Sequence, residues 1–388
     1  MTGGEEAALL ARVPGPLLDW YRQNARVLPW RSQPTPYRVW VSEIMLQQTR
    51  VEAAKPYFLR FVEALPDVLA LADCPEEQLM KLWEGLGYYS RARNLQKAAR
   101  VVAERYGGEL PASFEALREL PGIGDYTAGA IASIAFGLPC PAVDGNVLRV
   151  LSRVTGSRRD IADPKVKKEM GEAIRAILPP CPGDFNQALM ELGATVCLPN
   201  GDPLCGDCPL GGFCRARALG IQGELPVKAP KKPRAVQALT VFLLRSPAGK
   251  TAIRRRPAGG LLGGMWELPN LPGTLSRDEA RDWLENQGAK VLSLEPLPPA
   301  KHIFTHVEWR MTAWEARLDR EPSPGAGLVW VTREELDHGY ALPSAFRAAG
   351  WDRPGRGPQP AQGESGGLEP STKPVAGQAA APLHSLSP

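Results

Sequence analysis

Leu120-Pro121-Gly122-Ile123-Gly124-Asp125-Tyr126-Thr127-Ala128 is the stretch that decides the fold of this chain. Phe114–Glu119 before it and the Ala-rich segment after it read as helices, which leaves only a tight Pro-Gly-x-Gly turn between them. Two glycines let the backbone bend and bring N–H groups toward an external anion, and the N-terminus of the second helix adds partial positive charge. Gly122 and Gly124 could therefore grip a phosphate without basic side chains. An ordinary helix–helix turn is the alternative, and glycine spacing alone favours it.

Working outward, two carboxylates flank this hairpin. Downstream, in Ala142-Val143-Asp144-Gly145-Asn146-Val147, Asp144 stands at the N-cap of a periodic apolar run, where helix N–H groups favour its ionised form. It is either only a cap or a catalytic anion. Upstream, Glu43 lies in Trp40-Val41-Ser42-Glu43-Ile44-Met45-Leu46-Gln47-Gln48-Thr49. On a helix its face is shared with Val39, Trp40, Leu46 and Gln47, so loss of solvation would raise its pKa and let it hold a proton near neutrality. The competing possibility is a surface Glu at the edge of the stripe. An acid held protonated beside an anion held ionised suits glycosidic cleavage through an oxocarbenium-like transition state.

The third feature is Cys197, Cys205, Cys208 and Cys214, four thiols in a Gly/Pro-rich loop. Zinc is one candidate, but only Cys205 and Cys208 form a close pair of the kind zinc ribbons use twice. A [4Fe–4S] cluster accepts uneven spacing and is preferred, with a structural role that fixes the loop near Arg215 and Arg217. Cys74, Cys140 and Cys181 stand apart and read as core or loop thiols.

Composition frames these motifs. The chain has 388 residues, 44% of them apolar, with net charge +4, 39 glycines and 39 prolines. That length suggests two or three domains at roughly 150 residues each. The charge neither implies nor excludes nucleic acid, and the Gly/Pro excess lacks the three-residue period of collagen. No signal peptide is expected in MTGGEEAALLARV, and the longest apolar run, Ala128–Leu138, is short of the roughly 20 residues a spanning helix needs. Reduced thiols and a cytoplasmic location without membrane contact follow as expectations. Residues 1–222 read as helical, and 223–234 as a linker whose Val227–Arg234 part is basic and proline-punctuated. Residues 235–350 read as a small α+β domain with strands at Ala238–Leu244, His302–His306 running on to Met311–Trp314, and Gly327–Val331, and a helix near Arg277–Gln287. The tail, 351–388, reads as disordered.

RVLPWR at 26–31, SEIMLQQT at 42–49, GLGYYSRARNL at 85–95, LPGIGDYTA and AVDGN, in this order with the cysteine loop, resemble the helix–hairpin–helix base-excision glycosylases, and within them the MutY-type adenine DNA glycosylases. The resemblance covers roughly residues 10–350 and implies an all-α glycosylase domain with its hairpin at 113–136 and its iron–sulfur loop at 197–214, followed by a Nudix-like domain. Tyr126 stands where endonuclease III-like relatives carry a lysine, and a phenol cannot form a Schiff base. The resemblance therefore implies base removal with little strand cleavage.

Carried over residue by residue, Glu43 is the general acid and Asp144 the group that stabilises or bonds to the sugar, with Tyr126 and Asn146 lining the site. Arg26, Leu28, Trp30 and Arg31 form the pocket for the flipped adenine. Gln48, Thr49 and Tyr88 belong to the DNA-contacting set, Gln48 and Tyr88 wedged beside the opposing base. For the aromatics core packing is the competing reading, and it is favoured for Trp40 and Trp83. Phe304-Thr305-His306 matches a Phe-Ser-His motif that recognises 8-oxoguanine, with threonine in place of serine. Seven residues separate Cys197 from Cys205 where the family has six. The implied partner is duplex DNA with adenine opposite 8-oxoguanine or guanine, bound by a monomer associated with a bacterial nucleoid. Two rivals are a glycosylase/lyase using Lys55 or Lys97, and a non-catalytic damage sensor.

Overall fold

The computed structural model describes residues 3–230, 233–322 and 327–347. The tail at 351–388 and residues 348–350 of the second domain lie outside the described residues.

From Gly3 to Ala218 the regular structure is helical. Side-chain caps start many of these helices: Thr35 before Pro36–Leu46, Asp67 before Val68–Asp73, Ser113 before Phe114–Arg118 and Asp144 before Gly145–Thr155. Each such cap is worth about 1 kcal/mol. The helices pack into two cores. One gathers Trp40, Phe58, Phe61, Leu79 and Trp83, all fully buried, from the segments between Leu28 and Cys140. In the other, the chain's first two helices, through Leu10, Val13 and Leu17, return to cover Gly145–Thr155, Pro164–Ala176 and Pro182–Thr195. The hairpin bridges the cores. Its turn needs glycine at 122, where φ is +78° and a Cβ would lie 2.7 Å from that of Asn94. The core reading of Trp40 and Trp83 holds, since neither is exposed.

The segment expected to be a linker is in part a structural strap. Leu225 is buried, its carbonyl accepts from Arg153 Nε at 3.0 Å, and the Ile161 amide donates to Val227 O at 3.1 Å. Its proline content gave the look of a free connector, but the carbonyls are bound to the helical domain.

Among the described residues beyond it lie seven strands, β1 (Ala235–Arg245), β2 (Thr251–Arg255), β3 (Trp266–Glu267), β4 (Asn270–Pro272), β5 (Val291–Ile303), β6 (Val307–Leu318) and β7 (Leu328–Val331). The main order is β3-β2-β1-β6-β5, with β4 paired to β1 and β7 to β2. β1 and β6 run parallel, from Ala235 opposite Val307 to Arg245 opposite Arg317, and the other pairings are antiparallel. Alternation along β1 sends Leu239, Val241 and Leu243 to a face covered by Leu336, Leu342 and Phe346, and Phe242 and Leu244 to the face covered by the Arg277–Asn286 helix.

Two expectations change. The strand expected over His302–His306 ends at Ile303, and Phe304–His306 form the turn of a hairpin into β6. Most of β5 lies outside the expected strands, and its Pro296, Pro298 and Pro299 are residues that a central strand does not take. β5 is the sheet's edge, where a missing N–H on the outer side costs no ladder bond.

Candidate active site

Glu43 sits on Pro36–Leu46, a helix buried at every position from Val39 to Met45, and its own exposure is 6%. Tyr126, in the first turn of the hairpin's second helix, donates its phenolic hydrogen bond to Glu43 Oε2 and lies 3.3 Å from Met190 Sδ. Burial pushes the Glu43 carboxyl up to about 7; the Tyr126 bond opposes this, the charge of Asp144 adds to it, and Arg31 opposes it. The buried-acid alternative is therefore the one realised, and the surface-edge alternative is not.

Asp144 caps Gly145–Thr155, accepting from the Val147 amide at 2.8 Å on Oδ1 and from Asn146 Nδ2 at 2.7 Å on Oδ2. Capping alone would favour its ionised form. Burial instead pushes its carboxyl above the ordinary range, against the bonds from Val147 and Asn146 and the charge of Arg149. Donors nevertheless occupy both of its oxygens, whereas Glu43 receives one phenol, so the ionised member of the pair is Asp144. Tyr126 feels the charge of both carboxylates, and its own hydroxyl is held protonated, raised first by burial. The two acids, one from each core, thus meet at one site.

The set expected around the adenine divides. Arg26 and Arg31 converge on Glu191, which is 1% exposed: Arg26 Nε to Oε1 at 2.6 Å and Arg31 Nη2 to Oε2 at 2.8 Å. Arg31 also donates to Gln187 Oε1 and to the Arg26 carbonyl. Leu28 and Trp30 are buried core residues, Trp30 edge-on to Phe58 with centroids 5.3 Å apart. The packing alternative weighed for the aromatics therefore extends to Trp30.

Gln48 and Tyr88 are exposed and both hold left-handed backbones, with φ of 59° and 49°. Such strain in non-glycine residues persists only where the surroundings impose it. Here Arg91 imposes it, donating to the carbonyls of Ile44, Met45, Gln47, Leu86 and Gly87 and lying 3.5 Å from Thr49 Oγ1. Gln48 and Tyr88 open onto a cleft of about 710 Å³ whose far wall is His302–Val307. Across it Tyr88 Oη and Thr305 Oγ1 are 3.0 Å apart. Phe304 stacks edge-on to His302 and Trp309, its backbone bonded to Val307, while His306 is exposed with its carbonyl accepting from Ala235.

Cys197, Cys205, Cys208 and Cys214 line one cavity with Arg153 and Arg217, and none is in a disulfide. Arg153 Nη1 lies 3.3 Å from Cys197 Sγ. Burial, and then the crowding of the other three sulfurs, pushes the Cys208 thiol up to about 11. Among the described residues no three acidic, His or Cys side chains are gathered tightly enough for one metal ion. What speaks for a bound group is the donor set itself: four mutually interacting thiols beside a guanidinium. Arg149 joins this loop to the carboxylates, with Nη2 2.9 Å from Asn146 Oδ1 and Nε 2.8 Å from Cys197 O.

Sequence reasoning missed Glu191, Arg91, Met190 and Arg149. All four are paired over more than forty residues, a relationship no local pattern shows. Of the lysines proposed for a lyase, Lys55 pairs with Glu52 at 2.8 Å and Lys97 is exposed on the Ser90–Tyr106 helix; neither figures among the groups acting on Glu43 or Asp144.

Residues 41–176 match the HhH-GPD superfamily of base excision DNA repair proteins, and residues 240–349 match the NUDIX domain. Adenine DNA glycosylase from Mus musculus is 36% identical over 380 residues, spanning 82% of this chain and 74% of its own. The Homo sapiens protein of that name is 36% identical over 396 residues, spanning 86% and 72%. Among solved structures, a thermostable thymine-DNA glycosylase aligns with a TM-score of 0.50 and 26% identity, over 56% of this chain and all of that one.

Proposed function

The chain belongs to the adenine DNA glycosylases, the base-excision repair enzymes that remove adenine from DNA, and from that premise we propose that Glu43 and Asp144 carry the reaction, with adenine opposite 8-oxoguanine or guanine as the substrate. The observation that carries this reading is the bond from Tyr126 to a Glu43 whose carboxyl titrates near 7, beside an Asp144 whose two oxygens are occupied by N–H donors.

Glu43 gives its proton to a ring nitrogen of the flipped adenine, and the C1′–N bond breaks with its electron pair leaving on the base. Asp144 stabilises the positive charge developing on the sugar. Water then adds to C1′, and its proton returns to Glu43. Arg26 and Arg31, braced by Glu191, order the pocket around the base, and the Gly122–Gly124 turn takes a phosphate. Tyr126 stands where a lyase needs an amine, so the product is an abasic site.

Gln48, Thr49 and Tyr88 engage the duplex beside the orphan base, and Phe304, Thr305 and His306 recognise that base as 8-oxoguanine from the facing domain. That domain lacks clustered glutamates around Gly263–Glu267, which supports recognition rather than hydrolysis. Cys197, Cys205, Cys208 and Cys214 hold a [4Fe–4S] cluster whose role is to fix the loop.

A labelled duplex with adenine opposite 8-oxoguanine tests the reading. Adenine release with strand breaks only after alkali is the expected result. Breaks without alkali, trapped by borohydride, would establish the lyase instead.

A further inference from the structure

Two residues outside the reaction site grip the sheet domain. Lys81, in the last turn of the Glu76–Leu82 helix, places Nζ 3.1 Å from the carbonyls of Leu336 and Tyr340 and 2.7 Å from Glu84 Oε2. Glu84 Oε1 in turn accepts from the Leu342 amide at 2.9 Å. An ammonium thus closes the C-terminus of the Arg333–Gly339 helix while a carboxylate takes the next N–H, so one ion pair holds both polarities of a single segment. Both side chains are largely shielded, at 21% and 10% exposure. The segment does not stand alone: Ala341 and Met265 are buried in the helical core, and Tyr340 packs edge-on to Trp266 at 5.0 Å.

The grip leads to the cleft from both sides. Glu84 precedes the Gly85–Gly87 loop that carries Tyr88. Leu342 precedes Pro343–Ala345, which wall the cleft, and Phe346 meets Trp309, which meets Phe304.

Resting on the reading that the Phe304–His306 turn discriminates the base opposite the adenine, we propose that Lys81 and Glu84 are positioning residues that latch the sheet domain to the helical domain and hold that turn facing Tyr88. The latch touches neither base and acts through the spacing of the cleft walls.

The test uses the full chain with Lys81→Met, Glu84→Gln and the conservative Lys81→Arg. Amide hydrogen exchange over 333–347 reads the docking, and single-turnover adenine release from A:8-oxoG and A:G duplexes reads discrimination. Lys81→Met and Glu84→Gln are expected to speed exchange at Leu342 and to cut the A:8-oxoG over A:G preference, each by roughly tenfold or more, since at least one charge-assisted bond is lost in either variant. The rate on A:G stays unchanged, and Lys81→Arg restores both readouts. Unchanged exchange overturns the latch. So do faster exchange with intact preference, and an equal loss on both duplexes, which a merely structural role would cause. The parent reading is checked in the same assay by Thr305→Ala with His306→Ala: if these keep the preference, recognition by the turn fails, while the exchange data still decide the latch.

Discussion

Tyr126 and Glu43, far apart in sequence, share one hydrogen bond at the junction of two helical cores, with the phenol as donor and the carboxyl as acceptor. The bond opposes burial, and so sets how far above an ordinary carboxyl Glu43 titrates. Removing it has a defined sign.

Tyr126→Phe deletes a donor that favours the ionised form, so the Glu43 pKa rises. Because the reaction needs Glu43 protonated, the alkaline limb of the single-turnover rate moves to higher pH. A limb that stays in place, or moves down, would show that Tyr126 does not set this proton.

In the unaltered protein that alkaline limb falls near 7, since Glu43 is pushed up to about 7. The acid limb belongs to Asp144, which must be ionised and is raised above the ordinary carboxylate range. A bell-shaped profile is expected, its two limbs reporting the interacting pair. Rates independent of pH between 5 and 9 would contradict it.

Stability carries the same signature. Folded Glu43 binds its proton more tightly than the unfolded chain does, so its contribution is full below about 4.5 and is lost as pH rises through about 7. Glu43→Gln cannot ionise and escapes that loss. Relative to the parent, its thermal stability should improve between pH 5 and 8 by up to about 3 kcal/mol, the size of the pKa displacement. A constant difference across that range would exclude ionisation of a buried Glu43.

Glu191→Ala leaves Arg26 and Arg31 without their shared carboxylate. Breaking a buried pair from one side costs about 3–5 kcal/mol, and the partial exposure of Arg26 places the loss near the lower figure. Thermal unfolding reads it, and adenine release should fall with it. A loss under about 1 kcal/mol would mean the triad is no stronger than a surface pair.

Iron and sulfide analysis of the isolated protein, with its visible spectrum, checks the cysteine loop. Four irons per chain and a broad brown absorption are expected; zinc without colour would replace the cluster assignment. Substituting Cys208 should release the metal and loosen Leu210, which is fully buried in the second core.

Much of this architecture was legible because its determinants are local. The glycine turn, the Asp144 cap and the apolar face around Glu43 all lie within one or two helical turns, and the structure brings all three together. What escaped is long-range or depends on position in the sheet. Glu191 reads as one more helical glutamate until Arg26 and Arg31 close on it. Pro296, Pro298 and Pro299 argue against a strand until the strand proves to be an edge. Leu225 and Val227 look like linker because nothing in their own neighbourhood shows the Arg153 and Ile161 groups that bind their carbonyls. The local signal at Asp144 is its cap alone, and burial, a property of the assembled cores, turns its titration the other way.

The most direct test is single-turnover adenine release by Glu43→Gln and Asp144→Asn, measured with binding to the same duplex. Both variants should hold the DNA while losing release by roughly a thousandfold or more, the scale of a missing proton donor or charge stabiliser. Release at the parental rate from either variant would contradict the account.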